Sequence, residues 1–206
     1  MKRVIYFFIV CILLAGFGYH IYRAVNNDVP IIYNEDTNIE KAIKLLKECE
    51  YKEPYNTIKG NNPDNKQIKV TFKNLKNIDE QYENFYALGW RIDNDLYIYI
   101  NEKHRNAPPE AIAALLSHEA IHQDKFASLN EETYAWTLEA ATWLKMTEKN
   151  PDAMNSASSL VSRENMLKKL FEKGDYTNKY IKKAVYTNPG YKRLPTRSPG
   201  FEDEDL

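Results

Sequence analysis

Two helical segments separated by a short break constrain the fold of this chain more than any other feature. The sequence pattern predicts one helix over residues 110–123 and a second over residues 128–146. Ser128 and Glu131 form a capping box that opens the second helix. Because a short connection joins helices that are neighbours in space, we expect the pair to fold back antiparallel.

Alternating patterns that precede this helix pair predict strands. Residues 68–72 alternate apolar and polar side chains, as in a half-buried strand. Residues 85–92 and 95–101 flank the dipeptide Asp93-Asn94, which suits a hairpin turn. The predicted fold class is therefore α+β, with a small antiparallel sheet of three or more strands packed on the first helix of the pair and an α-helical C-terminal part.

Further elements are predicted on either side of this region. Thr37 and Glu40 resemble a capping box and open a helix to about residue 51. Residues 54–65 contain Gly and Pro and are predicted to form a loop. Helical patterns also cover residues 158–173 and 176–186.

A His-Glu-x-x-His motif lies in the first helix of the pair, where residues 117–123 are Ser-His-Glu-Ala-Ile-His-Gln. On a helix, His118 and His122 share one face one turn apart, so both imidazoles can bind a single ion. Glu119 can then reach a water molecule on that ion and act as its general base. A catalytic zinc ion has three protein ligands, so the motif requires one more.

The second helix offers that ligand. His122 lies five residues before the centre of the break and Glu132 five residues after it, so an antiparallel pair brings them together. Glu131 is an alternative, although its position suits the capping box, and Asp124 is another that requires a sharp turn after the motif. Glu139 lies on the same helix face as Glu132 and is a candidate hydrogen-bond acceptor for a ligand histidine.

The motif followed by Glu132 resembles the gluzincin branch of the zinc metallopeptidases. Residues 131–136, Glu-Glu-Thr-Tyr-Ala-Trp, resemble the Glu-x-x-Ala segment that carries the third ligand in several small members. The similarity covers roughly residues 95–146. It implies a peptidase with Zn²⁺ as its cofactor, with His118, His122 and Glu132 as ligands and Glu119 as general base.

The resemblance also implies the class of partner. The substrate is expected to be a peptide or protein that lies extended along an edge strand, for which residues 95–101 are the candidate. Hydrolysis of a small-peptide or cell-wall amide is an alternative reaction. The Gly and third His of the metzincin signature are absent after His122, so that branch is rejected.

The ends of the chain predict its organisation. Lys2 and Arg3 precede an apolar run, which favours a membrane anchor or signal sequence over residues 1–23. The expected location is a single-pass membrane protein with the rest of the chain extracytoplasmic. The alternative is a protein secreted after cleavage of this segment. Residues 24–36 are predicted to be a stalk, residues 37–187 a zincin-like catalytic domain, and residues 188–206 a mobile acidic tail containing Pro and Gly.

Composition excludes one class of partner and leaves one alternative function. The 28 Lys and Arg residues balance 29 Asp and Glu residues and form no long basic stripe, so no nucleic-acid partner is expected. The alternative to an enzyme is a membrane-anchored interaction module with a structural or vestigial zinc site. Weaker candidates for stabilising an oxyanion are His104 and three tyrosines, namely Tyr134, Tyr186 and Tyr191.

Overall fold

The computed structural model describes residues 31, 33, 36–122 and 126–202. Within these residues the chain forms six α-helices and one three-stranded sheet, so the α+β class is confirmed. The helices are α1 (Thr37–Glu48), α2 (Glu53–Lys59), α3 (Pro109–Glu119), α4 (Leu129–Lys149), α5 (Ser159–Lys173) and α6 (Lys179–Thr187). The strands are β1 (Ile68–Lys73), β2 (Ala87–Ile92) and β3 (Asp95–Asn101).

The sheet is mixed, so the prediction of an antiparallel sheet was wrong. Strands β2 and β3 form the predicted hairpin, with Asp93 in the turn at a φ of 53°. Strand β1 instead pairs parallel with β3, giving the order β1-β3-β2. The connection between β1 and β2 is long enough to carry the chain across the sheet, which a parallel pairing requires.

This strand order also corrects the expected substrate strand. Strand β3 is paired on both sides, so residues 95–101 do not present a free edge. The outer side of β1 carries an isolated pairing between Val70 and Tyr33. Among the described residues, β2 is therefore the strand whose outer edge carries no strand partner.

Helix α3 is buried along its length, from Glu110 to Glu119. It contacts α1, α4, α5 and β2, and its apolar side chains join those of the sheet and α1 in one core cluster. The Asn150 side chain, after the end of α4, donates a hydrogen bond to Glu110 at the start of α3, so α3 and α4 run antiparallel as predicted. Because α3 is packed on all faces, its C-terminal end, which carries His118 and Glu119, is held in a fixed position.

The largest differences from the predicted helices are the end of α3 and the presence of α2. Helix α3 ends at Glu119, and the next turn is tightened by bonds from Ile121 N–H to His118 O and from His122 N–H to Glu119 O. His122 therefore follows the helix instead of lying on it. The predicted loop at residues 54–65 begins within helix α2, whose first turn tolerates a proline because its N–H needs no partner there.

The predicted membrane location requires correction. No helix in the described part of the chain is long and apolar enough to cross a bilayer. Residues 1–23, to which the anchor was assigned, lie outside the described residues. The single-pass and signal-anchor predictions are therefore not supported by the structure.

The chain after α6 packs against the start of α4, unlike the mobile tail expected there. Leu129 N–H donates to Pro195 O at 2.9 Å, and Asn130 N–H donates to Thr196 O at 3.0 Å. These N–H groups belong to the first turn of α4, where no partner exists within the helix. Ser198 is buried in the same contact. We call residues 195–201 the C-terminal strap; residues 203–206 lie outside the described residues.

Candidate metal centre

The three predicted ligands converge where α3 meets α4. The Nε2 atoms of His118 and His122 lie 3.1 Å apart. Glu132 Oε2 lies 3.8 Å from His118 Nε2, and Glu132 Oε1 lies 3.8 Å from His122 Nε2. Among the described residues, these three side chains form a group able to hold a metal ion, with one ligand atom from each within 4.8 Å of the others.

The spacing and the chemistry of this group fit zinc. Two atoms that each lie 2.0–2.1 Å from a tetrahedral ion are roughly 3.3 Å apart, so the two histidine nitrogens need little movement and a Glu132 oxygen must move closer to them. Glu132 Oε2 is buried and has no hydrogen-bond partner in the described part of the chain. Such an oxygen is costly to bury unless a cation pairs with it. Two imidazoles and one carboxylate are a typical catalytic zinc ligand set.

Each histidine faces its own carboxylate on α4. His122 Nδ1 lies 2.8 Å from Glu131 Oε1. His118 Nδ1 lies 2.9 Å from Glu139 Oε2, a short contact that is poorly aligned as a hydrogen bond. Because a carboxylate favours a proton on the nitrogen it faces, both rings, when neutral, are biased to carry hydrogen on Nδ1 and a lone pair on Nε2. Glu139 thus lies beside a ligand histidine, as the sequence predicted.

The two histidines differ in their electrostatic surroundings. Burial and the neighbouring His122 hold the pKa of His118 well below its ordinary value. Burial also lowers the pKa of His122, but the hydrogen bond to Glu131 and the charges of Glu132 and Glu119 raise it to about 9. Carboxylates gathered at one buried point favour a positive charge there.

An ion pair with α5 holds Glu139 in place. Arg163 donates to both carboxylate oxygens of Glu139, with Nη2 at 2.9 Å from Oε2. The guanidinium also lies over the rings of Tyr86 and Trp136, at 5.0 and 5.5 Å from their centroids. A bidentate pair fixes the carboxylate that faces His118. Sequence reasoning missed Arg163, because no local pattern links it to the motif.

Glu119 lies beside the ligands and close to β2. Its carboxylate accepts a hydrogen bond from the Gly89 N–H. Burial is the largest cause that raises the pKa of Glu119, and the charge of Glu132 adds to it. A carboxyl group of raised pKa can hold a proton between two steps of a reaction, as a general base must. Gly89 is a second residue that the sequence did not indicate.

Gly89 allows β2 to approach the motif closely. A Cβ atom on this residue would lie 3.4 Å from the His122 carbonyl oxygen and 3.9 Å from Glu119 Oε2. A larger side chain would therefore occupy the space next to the Glu119 carboxylate. The absence of a side chain brings backbone N–H groups of β2 within reach of the site.

Two cavities open onto the group. One, of about 260 Å³, is lined by both histidines and by Glu119, Glu132 and Phe126. The other, of about 740 Å³, lies beside His118 and Glu119 and is bounded mainly by apolar and aromatic side chains, including Phe85, Leu115, Trp136, Met166 and Tyr191. A cavity of this size and polarity suits a small ligand or a bulky side chain.

Tyr191 is the predicted tyrosine that the fold brings to the site. Its hydroxyl accepts a hydrogen bond from Trp136 Nε1 at 3.2 Å. Burial raises its pKa, and its interaction with Glu132 raises it further. The hydroxyls of Tyr134 and Tyr186 bond to residues outside the group.

The remaining candidates have other positions. Glu131 binds His122 Nδ1 and does not join the ligand group, while its own N–H is capped by Ser128 as predicted. Asp124 lies outside the described residues. His104 is buried and stacks on Tyr86 with ring centroids 4.9 Å apart, and it is not a member of the ligand group.

Comparison of the chain with protein-family models, with curated proteins and with solved structures found no significant match. The chemistry assigned to the site therefore rests on its own geometry.

Proposed function

We propose that this protein is a zinc-dependent metallopeptidase, with zinc held by His118, His122 and Glu132 and with Glu119 as general base. One observation carries the proposal: two Nε2 atoms and a buried carboxylate converge next to a second buried carboxyl group of raised pKa. A structural zinc site is normally closed by four protein ligands. Here three ligands converge, and cavities open beside them.

Zinc and Glu119 would perform different parts of the hydrolysis. Zinc, when bound, supplies a Lewis acid that polarises a carbonyl group and lowers the pKa of a water molecule. Glu119 takes the proton of the attacking water and later passes it to the leaving amine. The Gly89 N–H orients the Glu119 carboxylate toward β2 during both transfers.

Tyr191 supplies the donor that the reaction also needs. A tyrosine hydroxyl is protonated at neutral pH, and burial raises the pKa of Tyr191 further. It lines both cavities beside Glu119 and His118. A donor in this position can stabilise the negative charge that develops on the substrate oxygen.

The surroundings of the site favour an extended peptide that carries a bulky apolar residue. Strand β2 passes Glu119 at Gly89, and its outer edge can pair with an extended backbone. The cavity of about 740 Å³ can then take one side chain of the peptide. Its aromatic and aliphatic lining favours Phe, Leu or similar residues at that position.

The test combines metal analysis with peptide hydrolysis by the full chain. We expect about one zinc per chain, lost in His122→Ala. In Glu119→Gln zinc is retained, and cleavage of a fluorogenic peptide pool falls by about 10² to 10⁴, the typical contribution of a general base. Glu102→Gln, at an exposed position, is the matched control and should keep full activity. Full activity in Glu119→Gln with unchanged zinc would refute the mechanism.

Chelation separates a catalytic zinc from a structural one. A structural zinc contributes to folding, so its removal unfolds the domain. Here the core that joins α1, α3 and the sheet is built from apolar side chains outside the ligand group. We therefore expect chelation to abolish hydrolysis while far-UV circular dichroism stays unchanged. Unfolding on chelation would instead favour an interaction module stabilised by zinc.

A further inference from the structure

A continuous set of hydrogen bonds links the C-terminal strap to His122. Ser198 Oγ donates to Glu131 Oε2 at 3.0 Å. The other oxygen of that carboxylate, Oε1, lies 2.8 Å from His122 Nδ1. Ser128 Oγ accepts the Glu131 N–H at 3.1 Å and lies 2.9 Å from Ser198 Oγ, to which it can donate. The Ser128 hydroxyl can thus donate to Ser198, and the Ser198 hydroxyl donates to Glu131.

Glu131 depends on these contacts because it is buried. The residue is 4% exposed, so each of its oxygens needs a partner within the protein. His122 satisfies Oε1 and Ser198 satisfies Oε2. If the Ser198 hydroxyl is removed, Glu131 Oε2 becomes an unsatisfied buried acceptor. Rotation of the carboxylate away from the His122 imidazole, toward another donor, is then favoured.

The orientation of His122 depends on this carboxylate more than on the helix. His122 lies beyond Glu119, the last residue of α3, and its N–H makes a tightened-turn bond to Glu119 O in place of a regular α-helical bond. Its side chain is 20% exposed, which leaves the ring space to turn. The bond from Nδ1 to Glu131 therefore decides which ring nitrogen points toward His118 and Glu132.

We propose that Ser198 is a positioning residue of the metal centre. Through Glu131 it holds the His122 ring with hydrogen on Nδ1 and with Nε2 directed at the shared ligand point. The C-terminal strap therefore contributes a residue to the site, although Ser198 lies 67 residues after Glu131 in the sequence. The identity of the metal rests on the proposed function, whereas the orientation of the ring does not.

The experiment measures zinc affinity and the His122 tautomer in full-length protein. Affinity is measured by competition with a chromophoric chelator. The tautomer is measured by ¹⁵N NMR of the zinc-free protein at a pH above the His122 pKa of about 9, where the ring is neutral. We expect Ser198→Ala to weaken zinc binding by about 10- to 100-fold, as loss of a partner behind a ligand does. The fraction of His122 with hydrogen on Nδ1 should also fall. Ser156→Ala, whose hydroxyl accepts only a local bond from Ser158 N–H, is the control.

Further variants separate positioning from folding. Ser198→Thr keeps the hydroxyl and should restore most of the affinity. If Ser198 acts through Glu131, then Ser198→Ala should add no further loss to Glu131→Gln. Should Ser198→Ala fail to fold, Ser198→Cys has the same shape and a weak donor, and the same loss of affinity is expected in it.

The outcomes distinguish this proposal from the proposed function. Absence of zinc binding by the wild-type protein refutes the zinc enzyme but leaves the tautomer measurement as the test of Ser198. Zinc binding that is equal in wild type and in the folded Ser198 variants, with an unchanged tautomer, overturns the role of Ser198. Additive losses in the double variant overturn the route through Glu131.

Discussion

Replacing Arg163 by methionine tests the ion pair behind His118. The variant keeps much of the side-chain volume but removes the charge that faces Glu139. Glu139 is fully buried, and the Arg163 side chain is 13% exposed, so solvent screens this pair little. The remaining carboxylate must therefore stay charged beside the His118 ring without its cationic partner, or take up a proton.

The expected loss of stability follows from the contacts. Arg163 donates to both oxygens of Glu139, and hydrogen bonds to a charged group contribute about 1.5–3 kcal/mol each. Removal of one partner of a buried pair independently suggests about 3–5 kcal/mol. We expect the free energy of unfolding of Arg163→Met to fall by about 3–5 kcal/mol. For a urea slope near 2 kcal/mol/M this is a midpoint shift of about 2 M.

Urea denaturation monitored by circular dichroism measures this loss, with zinc removed from all samples. Lys168→Met on the same helix breaks the more exposed pair with Glu172 and should lose no more than about 0.5 kcal/mol. In a double-mutant cycle, Arg163→Met should cost much less when Glu139 is already Gln. A loss below about 1 kcal/mol, similar to that of the control, would refute the assignment of Arg163 as the partner of a buried charge.

Three further predictions concern other residues. Burial raises the pKa of Glu164 to about 8, above its unfolded value, so the wild-type protein loses stability as pH rises from 4.5 to 8. Glu164→Gln should therefore be more stable than wild type at pH 8 by on the order of 2 kcal/mol. Equal stability of the two proteins would argue against burial of the charge. Burial lowers the pKa of His104 to about 4, so wild type loses stability as pH falls from 6.5 to 4; urea titrations should show that His104→Phe removes this dependence, and an unchanged profile contradicts it. Met166→Trp should narrow the large cavity and raise KM for peptides with bulky apolar residues at unchanged zinc content; an unchanged KM would exclude the cavity as a binding site.

Patterns of local origin were predicted well. The alternation over residues 68–72 and the hairpin around Asp93-Asn94 are present, as is the Ser128 cap of α4. These features arise from side chains within a few residues of one another, so the sequence contains all the interactions that decide them. The partner of β1 was not predicted correctly, because strand pairing across a long connection depends on tertiary packing.

The same distinction applies to the candidate metal centre. The motif spacing and the short break after it bring His118, His122 and Glu132 together, because one antiparallel helix pair suffices to make that contact. The sequence alone therefore predicted that these three side chains converge and that the fold is α+β, while it left Glu131 and Asp124 open as alternatives to Glu132.

Only the tertiary structure decided what surrounds these ligands. Arg163, Gly89 and Ser198 come from α5, β2 and the chain after α6, and nothing in their local sequence marks them. Tyr191 was one of three tyrosine candidates, and only the packing shows which of them lies at the site. Their contacts with the site exist because packing of a common core brings distant segments to one place, and burial then requires each polar group to find a partner there.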